Sequence, residues 1–160
     1  MPVESSGYAK SFRDLIVYQK SRQVSRTAFK LSKAFPKDEA FSLTSQLRRS
    51  SWSIGAQITE AWAKRRYQAH FISKLTDADA EQQETQHWVE IAEECEYLSS
   101  EGSKELLYDL LQIGRMLNSM IEKANQFCGS SPSYVREDRS GYFIEERNPR
   151  FHATAVQTDH

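Results

Sequence analysis

Between about residue 9 and residue 128, apolar residues recur in steps of three and four, interrupted at only a few points. A chain with this pattern is committed to amphipathic helices, because only a period near 3.6 puts such positions on one face. In the first segment Val17, Ser21, Val24, Ala28, Leu31 and Phe35 form a heptad-like seam. Pro36 ends it, since proline lacks an N–H and disfavours helix at the residue before it. Asp38 is placed to cap the next helix, whose seam is Leu43, Leu47, Ser50 or Ser51, Ile54 and Ile58. A reversal is predicted within "AWAKRRYQAH", without Gly or Pro to mark it. The third helix is predicted from Gln68 to Leu98, with Phe71, Leu75, Ala78, Gln82, Thr85, Val89 and Ala92 inward and Trp88, Ile91, Cys95 and Leu98 beside them. "SSEGS" (99–103) reads as a turn, with Gly102 at the break and Ser103 as the cap of the last helix. That helix presents Leu106, Leu110, Ile113, Leu117, Met120, Ala124 and Phe127. The predicted fold is all-α: an antiparallel up-down four-helix bundle over 9–128, with an N-terminal extension (1–8) and a C-terminal tail (129–160).

The tail opens with "GSSPS", a linker composition. Residues 134–146 read as a disordered tail, as two short strands around a turn, or as a segment that docks on a neighbouring subunit through Tyr134, Tyr142, Phe143 and Phe151. No apolar run is long enough to span a bilayer, and "MPVESSGYAK" lacks the apolar core of a secretory signal. Two cysteines, Cys95 and Cys128, do not make a disulfide framework, and the bundle would hold them about 30 Å apart. The cytoplasm is the expected compartment.

A net charge of −1 conceals a division. Residues 9–74 carry 14 Lys/Arg against 4 Asp/Glu, and residues 75–128 carry 3 against 12. On the first helix Arg22, Arg26, Lys30, Lys33 and Lys37 form a row opposite the seam, and Lys64, Arg65 and Arg66 add a second cluster. Asp79, Glu90, Glu94 and Glu101 are assigned to a polar face of the third helix. Three readings stay open: solvated surface, phosphate binding by cations one turn apart, or the basic face of one subunit against the acidic face of the next. Aromatic stacking partners are read as absent from the basic row, which argues against reading single strands.

"QLRRSSWSI" (46–54) resolves on a helical wheel. Its serines fall on the core side, while Arg48, Trp52, Ala56 and Thr59 form a second stripe beside the core. That stripe is read as a subunit contact, with extra intramolecular core as the alternative. Catalytic chemistry finds no support. Glu84 and His87 make one Glu-x-x-His where a di-iron bundle needs two, and no Walker, HExxH or CxxC signature occurs. No catalytic residue, metal site or cofactor is expected.

The strings "FRDLIVYQK", "FPKDEAFSLTSQLRR" and "SIGAQITEA" resemble the four-helix-bundle proteins encoded in intervening sequences of 23S ribosomal RNA. The resemblance extends over Phe12 to Lys123 and also reaches the accessory variability protein of diversity-generating retroelements. It implies a non-enzymatic bundle assembling as a ring-like homopentamer, with RNA or a nucleic-acid enzyme as partner in some members. The chain departs from the family pattern at Gly55, Gln57 and Ala61, where Pro, Asn and Gly are common. Gly55 weakens a helix by about 1 kcal/mol relative to Ala. The leading functional expectation is thus a homo-oligomeric scaffold associated with nucleic acid. A protein-interaction adaptor without nucleic acid is the alternative.

Overall fold

The computed structural model describes residues 8–128, 135–137 and 143–145. Four long helices dominate: α1 (Ile16–Ser32), α2 (Leu43–Ala63), α3 (Gln68–Glu94) and α4 (Ser100–Glu122), followed by a single turn, α5 (Ala124–Phe127). Each long helix packs on the next, and α4 closes against α1. Cross-helix contacts give the direction. Ser32 of α1 meets Arg48 of α2 while Ser21 lies against Gly55, and Gln82 of α3 meets Gly114 of α4 while Phe71 stacks on Phe127. Numbers rise on one helix as they fall on its neighbour, so the bundle runs up and down.

The predicted seams are the core. Leu47, Ile54, Ile58, Phe71, Leu75, Leu106, Leu110, Ile113 and Leu117 are fully buried, together with Ser21, Ser50, Ser51 and Thr85. Leu31 alone among the first seam is only half-buried. Three of these hydroxyls are satisfied within their own helix: Ser21 donates to the Tyr18 carbonyl, Ser51 to that of Arg48, and Thr85 to that of Glu81. Small residues here let the helices approach closely. A Cβ on Gly55 would stand 3.0 Å from Ser21 Oγ, so the residue that weakens α2 locally is the one that admits α1.

Helix boundaries depart from the sequence reading at three places. Asp38 does not cap α2; residues Lys37–Glu39 form a 3₁₀ turn, and the Glu39 carboxylate accepts from Ser42 Oγ and, at 3.4 Å, from the Leu43 N–H. A longer side chain one residue further on does the work of a cap. The break between α3 and α4 falls at residues 95–99, earlier than predicted, with Glu96 taking the left-handed conformation (φ 61°). Ser99 is the cap, its hydroxyl accepting from the Gly102 N–H at 3.1 Å, so Gly102 and Ser103 lie inside α4. Glu101 therefore belongs to α4, not to the polar face of α3.

Three short strands join the two ends of the chain. β2 (Val135–Glu137) pairs antiparallel with β3 (Phe143–Glu145) and, on its other edge, with β1 (Tyr8–Ala9). A two-stranded hairpin is marginal alone, and the third strand comes from far away in sequence, where no local pattern announces it. The expectations for Tyr134, Tyr142 and Phe151 lie outside the described residues, as does most of the tail.

Candidate nucleic-acid interface

Three of the predicted basic residues, Arg22, Arg26 and Lys30, lie on the outward side of α1, and Lys33 follows at its C-terminal cap. All four are exposed. Lys37 lies beyond Pro36 in the 3₁₀ turn, so the row on the helix is shorter than the sequence suggested. Lys64, Arg65 and Arg66 lie in the α2–α3 connection, at the opposite end of the bundle from Lys33, because α1 and α2 are antiparallel. The eight cations are thus two groups. Arg65 is committed to its own neighbourhood: its guanidinium sits 4.0 Å from the Trp62 ring centre and donates to the Trp62 carbonyl at 2.7 Å, and burial lowers its pKa.

The absence of aromatics from the basic row is overturned by the fold. Tyr18, Arg22, Ser25 and Phe29 form an i, i+4, i+7, i+11 ridge beside the cations, and this ridge faces the outer edge of α2. Arg22 Nη1 donates to Tyr18 Oη at 3.0 Å. Phe29 has Lys33 Nζ 4.9 Å and Arg48 Cζ 4.5 Å from its ring centre. Trp52 stands across from it, with ring centres 6.4 Å apart and planes tilted by 36°. A shallow groove of about 530 Å³ runs between the helices, with Tyr18, Arg22, Arg26, Phe29 and Trp52 on its walls and Gly55 at its base. The sequence signal for it is the position of Phe29, three residues after Arg26 and next to Lys30.

Of the stripe read as a subunit contact, Arg48 is half-buried because Nε donates to Ser32 Oγ at 2.8 Å, crossing from α2 to α1. Thr59 is half-buried too, bonded to the Gly55 carbonyl at 2.9 Å, while Ala56 is exposed. Trp52 remains 53% exposed, so the intramolecular core does not absorb it.

Ion pairing separates this face from its neighbour. Among the described residues, no carboxylate comes within 4.0 Å of Arg22, Arg26, Lys30, Lys33 or Arg48; the ion pairs are made by Arg49 and Lys74. Arg49 meets Glu84 and, at 3.5 Å, Glu81. Its hydrogen bond holds the Glu84 carboxyl below the ordinary range and raises the Arg49 pKa in return. Lys74 reaches Glu60 at 2.9 Å and Asp77 at 3.5 Å.

Glu84 also accepts from Trp88 Nε1 at 3.1 Å, and His87 lies against the Trp88 ring. Among the described residues no group of three His, Cys, Asp or Glu side chains could hold a metal. Of the predicted acidic face, Asp79 is half-buried and accepts from Gln82 and Gln83, while Glu90 and Glu94 are exposed. Cys95 and Cys128 are free thiols, the second half-buried and pushed up in pKa by that burial. No described helix is long and apolar enough to cross a membrane.

The model of the 23S rRNA-intervening sequence protein family matches residues 13–119, which include all four long helices except the last residues of α4. The chain belongs to this family. A crystal structure of a protein of unknown function, from the S23 ribosomal protein family of Bacteroides thetaiotaomicron, is similar at 32% identity and a TM-score of 0.62. The similarity covers 67% of this chain and 96% of that one. No curated protein matches it.

Proposed function

We propose that this intervening-sequence protein is a non-catalytic, cytoplasmic, ring-like homo-oligomeric scaffold, a pentamer as the family resemblance implies, that associates with nucleic acid or a ribonucleoprotein. The observation that carries the nucleic-acid part is the row Arg22, Arg26, Lys30 and Lys33, exposed and, among the described residues, without carboxylate partners in a chain that has 22 acidic against 21 basic residues. A face kept only for solubility mixes its signs. Cations about 6 Å apart along a helix displace counterions from a phosphate chain and make binding strongly dependent on salt.

An adaptor role without nucleic acid is the second reading. It is favoured by Tyr108 and Leu111 on α4, which are 61% and 50% exposed and follow Glu101 and Glu105 on the same side of the helix. That acidic, apolar surface complements the basic, aromatic one, and unlike surfaces meeting head to tail can close a ring. Native mass spectrometry of protein recovered from cells, before and after nuclease treatment, tests both readings. The scaffold reading expects an oligomer carrying nuclease-sensitive mass. A monomer at micromolar concentration sinks the ring. Failure to bind any of several structured and single-stranded RNAs at about 50 mM salt sinks the nucleic-acid role.

A further inference from the structure

Resting on the nucleic-acid reading, we infer that the groove between α1 and α2 is a stacking site for an unpaired base. The base lies on the exposed face of Trp52 and against Phe29, and the adjoining phosphates lie on Arg22 and Arg26. Trp52 and Phe29 are 53% and 37% exposed and come from two different helices. Their rings are 6.4 Å apart and tilted, so they line a cleft and do not close it by stacking on one another. Neither ring is needed to fill the core, which is complete beneath them at Gly55, Ser51 and Ala28.

The charges select the occupant. Arg22 and Arg26 line the groove with the two rings, Lys33 and Arg48 lie over Phe29, and among the described residues none of these four has a carboxylate within 4.0 Å. A protein partner would have to cover four cations at the centre of its contact, where charged residues are ordinarily depleted. A polyanion with flat apolar faces satisfies both features at once. The steps from Arg22 to Arg26 to Lys30 rise about 6 Å each, the order of one nucleotide of extended backbone. Duplex nucleic acid could use the cations but would leave the rings idle, because its bases already stack on each other. Single strands use both, and stacking on an aromatic ring tolerates any base.

The test compares three probes on the full-length protein: a single-stranded RNA of about 12 nucleotides, the same strand in duplex, and inorganic polyphosphate of similar charge. Wild type, Trp52→Ala and Trp52→Phe are compared, with folding checked by circular dichroism and size by gel filtration. The expected result is preferential binding of the single strand, with quenching of tryptophan emission that is lost in Trp52→Phe while affinity is largely kept. Trp52→Ala should lower single-strand affinity by about tenfold to a hundredfold and leave polyphosphate binding unchanged. Equal binding of all three probes, indifferent to Trp52→Ala, overturns the base site and leaves the nucleic-acid reading standing. No binding of any probe overturns both. A Trp52→Ala protein that folds but loses the oligomeric size of the wild type, without probe present, overturns the base site in favour of a second copy in the groove.

Discussion

Arg48 and Arg49 are neighbours in sequence and about 100° apart on α2. Arg49 points toward α3 and finds Glu81 and Glu84. Arg48 points toward α1, lies over Phe29, bonds Ser32 and, among the described residues, meets no carboxylate. The same contrast holds for the two edges as wholes. Between α2 and α3 the second cation, Lys74, is also paired, with Glu60 and Asp77. Between α1 and α2, Arg22, Lys33 and Arg48 lie over aromatic rings instead. Positive charge alone therefore marks no site. One edge joins two helices by ion pairs; on the other, among the described residues, Arg22, Arg26, Lys30 and Lys33 have no carboxylate within 4.0 Å.

The most damaging change to this contrast lies beneath both edges. Leu47→Ala and Leu110→Ala remove fully buried side chains and should each cost about 2–5 kcal/mol, read from denaturant melts. Losses below about 1 kcal/mol at both positions would mean that the inward faces are misassigned.

Charge reversal separates the edges. Arg26→Glu with Lys30→Glu should lower RNA affinity by about tenfold or more and flatten the salt slope by at least about 1.4 on a log–log plot. Stability should stay within about 0.5 kcal/mol of the wild type, since among the described residues neither side chain has an ion-pair partner to lose. Arg49→Glu should do the reverse, lowering the melting temperature and leaving the salt slope intact. If both variants weaken RNA binding equally, the distinction between paired and unpaired edges fails.

The smallest effect is also the most diagnostic of pairing. Arg49→Ala should cost about 0.2–1 kcal/mol at neutral pH, the low range proper to a partly exposed pair. The Glu84 carboxyl is held below its ordinary pKa by Arg49, so the stabilisation is present above the unfolded carboxyl pKa. It disappears as pH falls through the lowered folded value. The gap between wild type and Arg49→Ala should therefore close in acid, whereas Lys33→Ala should show no gap that depends on carboxylate titration. A gap at Arg49 that persists below pH about 2 would assign the effect to packing rather than charge.

By itself the sequence determined the helices and their inward faces. A seam such as Phe71, Leu75, Ala78, Gln82, Thr85, Val89 and Ala92 is set by a period of 3.6 residues, and every member is buried. Burial follows a periodicity that each helix carries within itself. The tertiary structure alone decided what depends on two segments meeting. It placed Glu39 rather than Asp38 over the start of α2, because a cap is set by side-chain reach in the folded turn. It joined Tyr8–Ala9 to Val135–Glu137, a pairing between residues more than a hundred positions apart. It split the cations into paired and unpaired sets and brought Phe29 to Trp52, turning a row of charges into a groove. A helical wheel places a side chain by angle on one helix. Whether that side chain finds a carboxylate, a ring or water depends on the neighbouring helix and its register, which no single helix encodes.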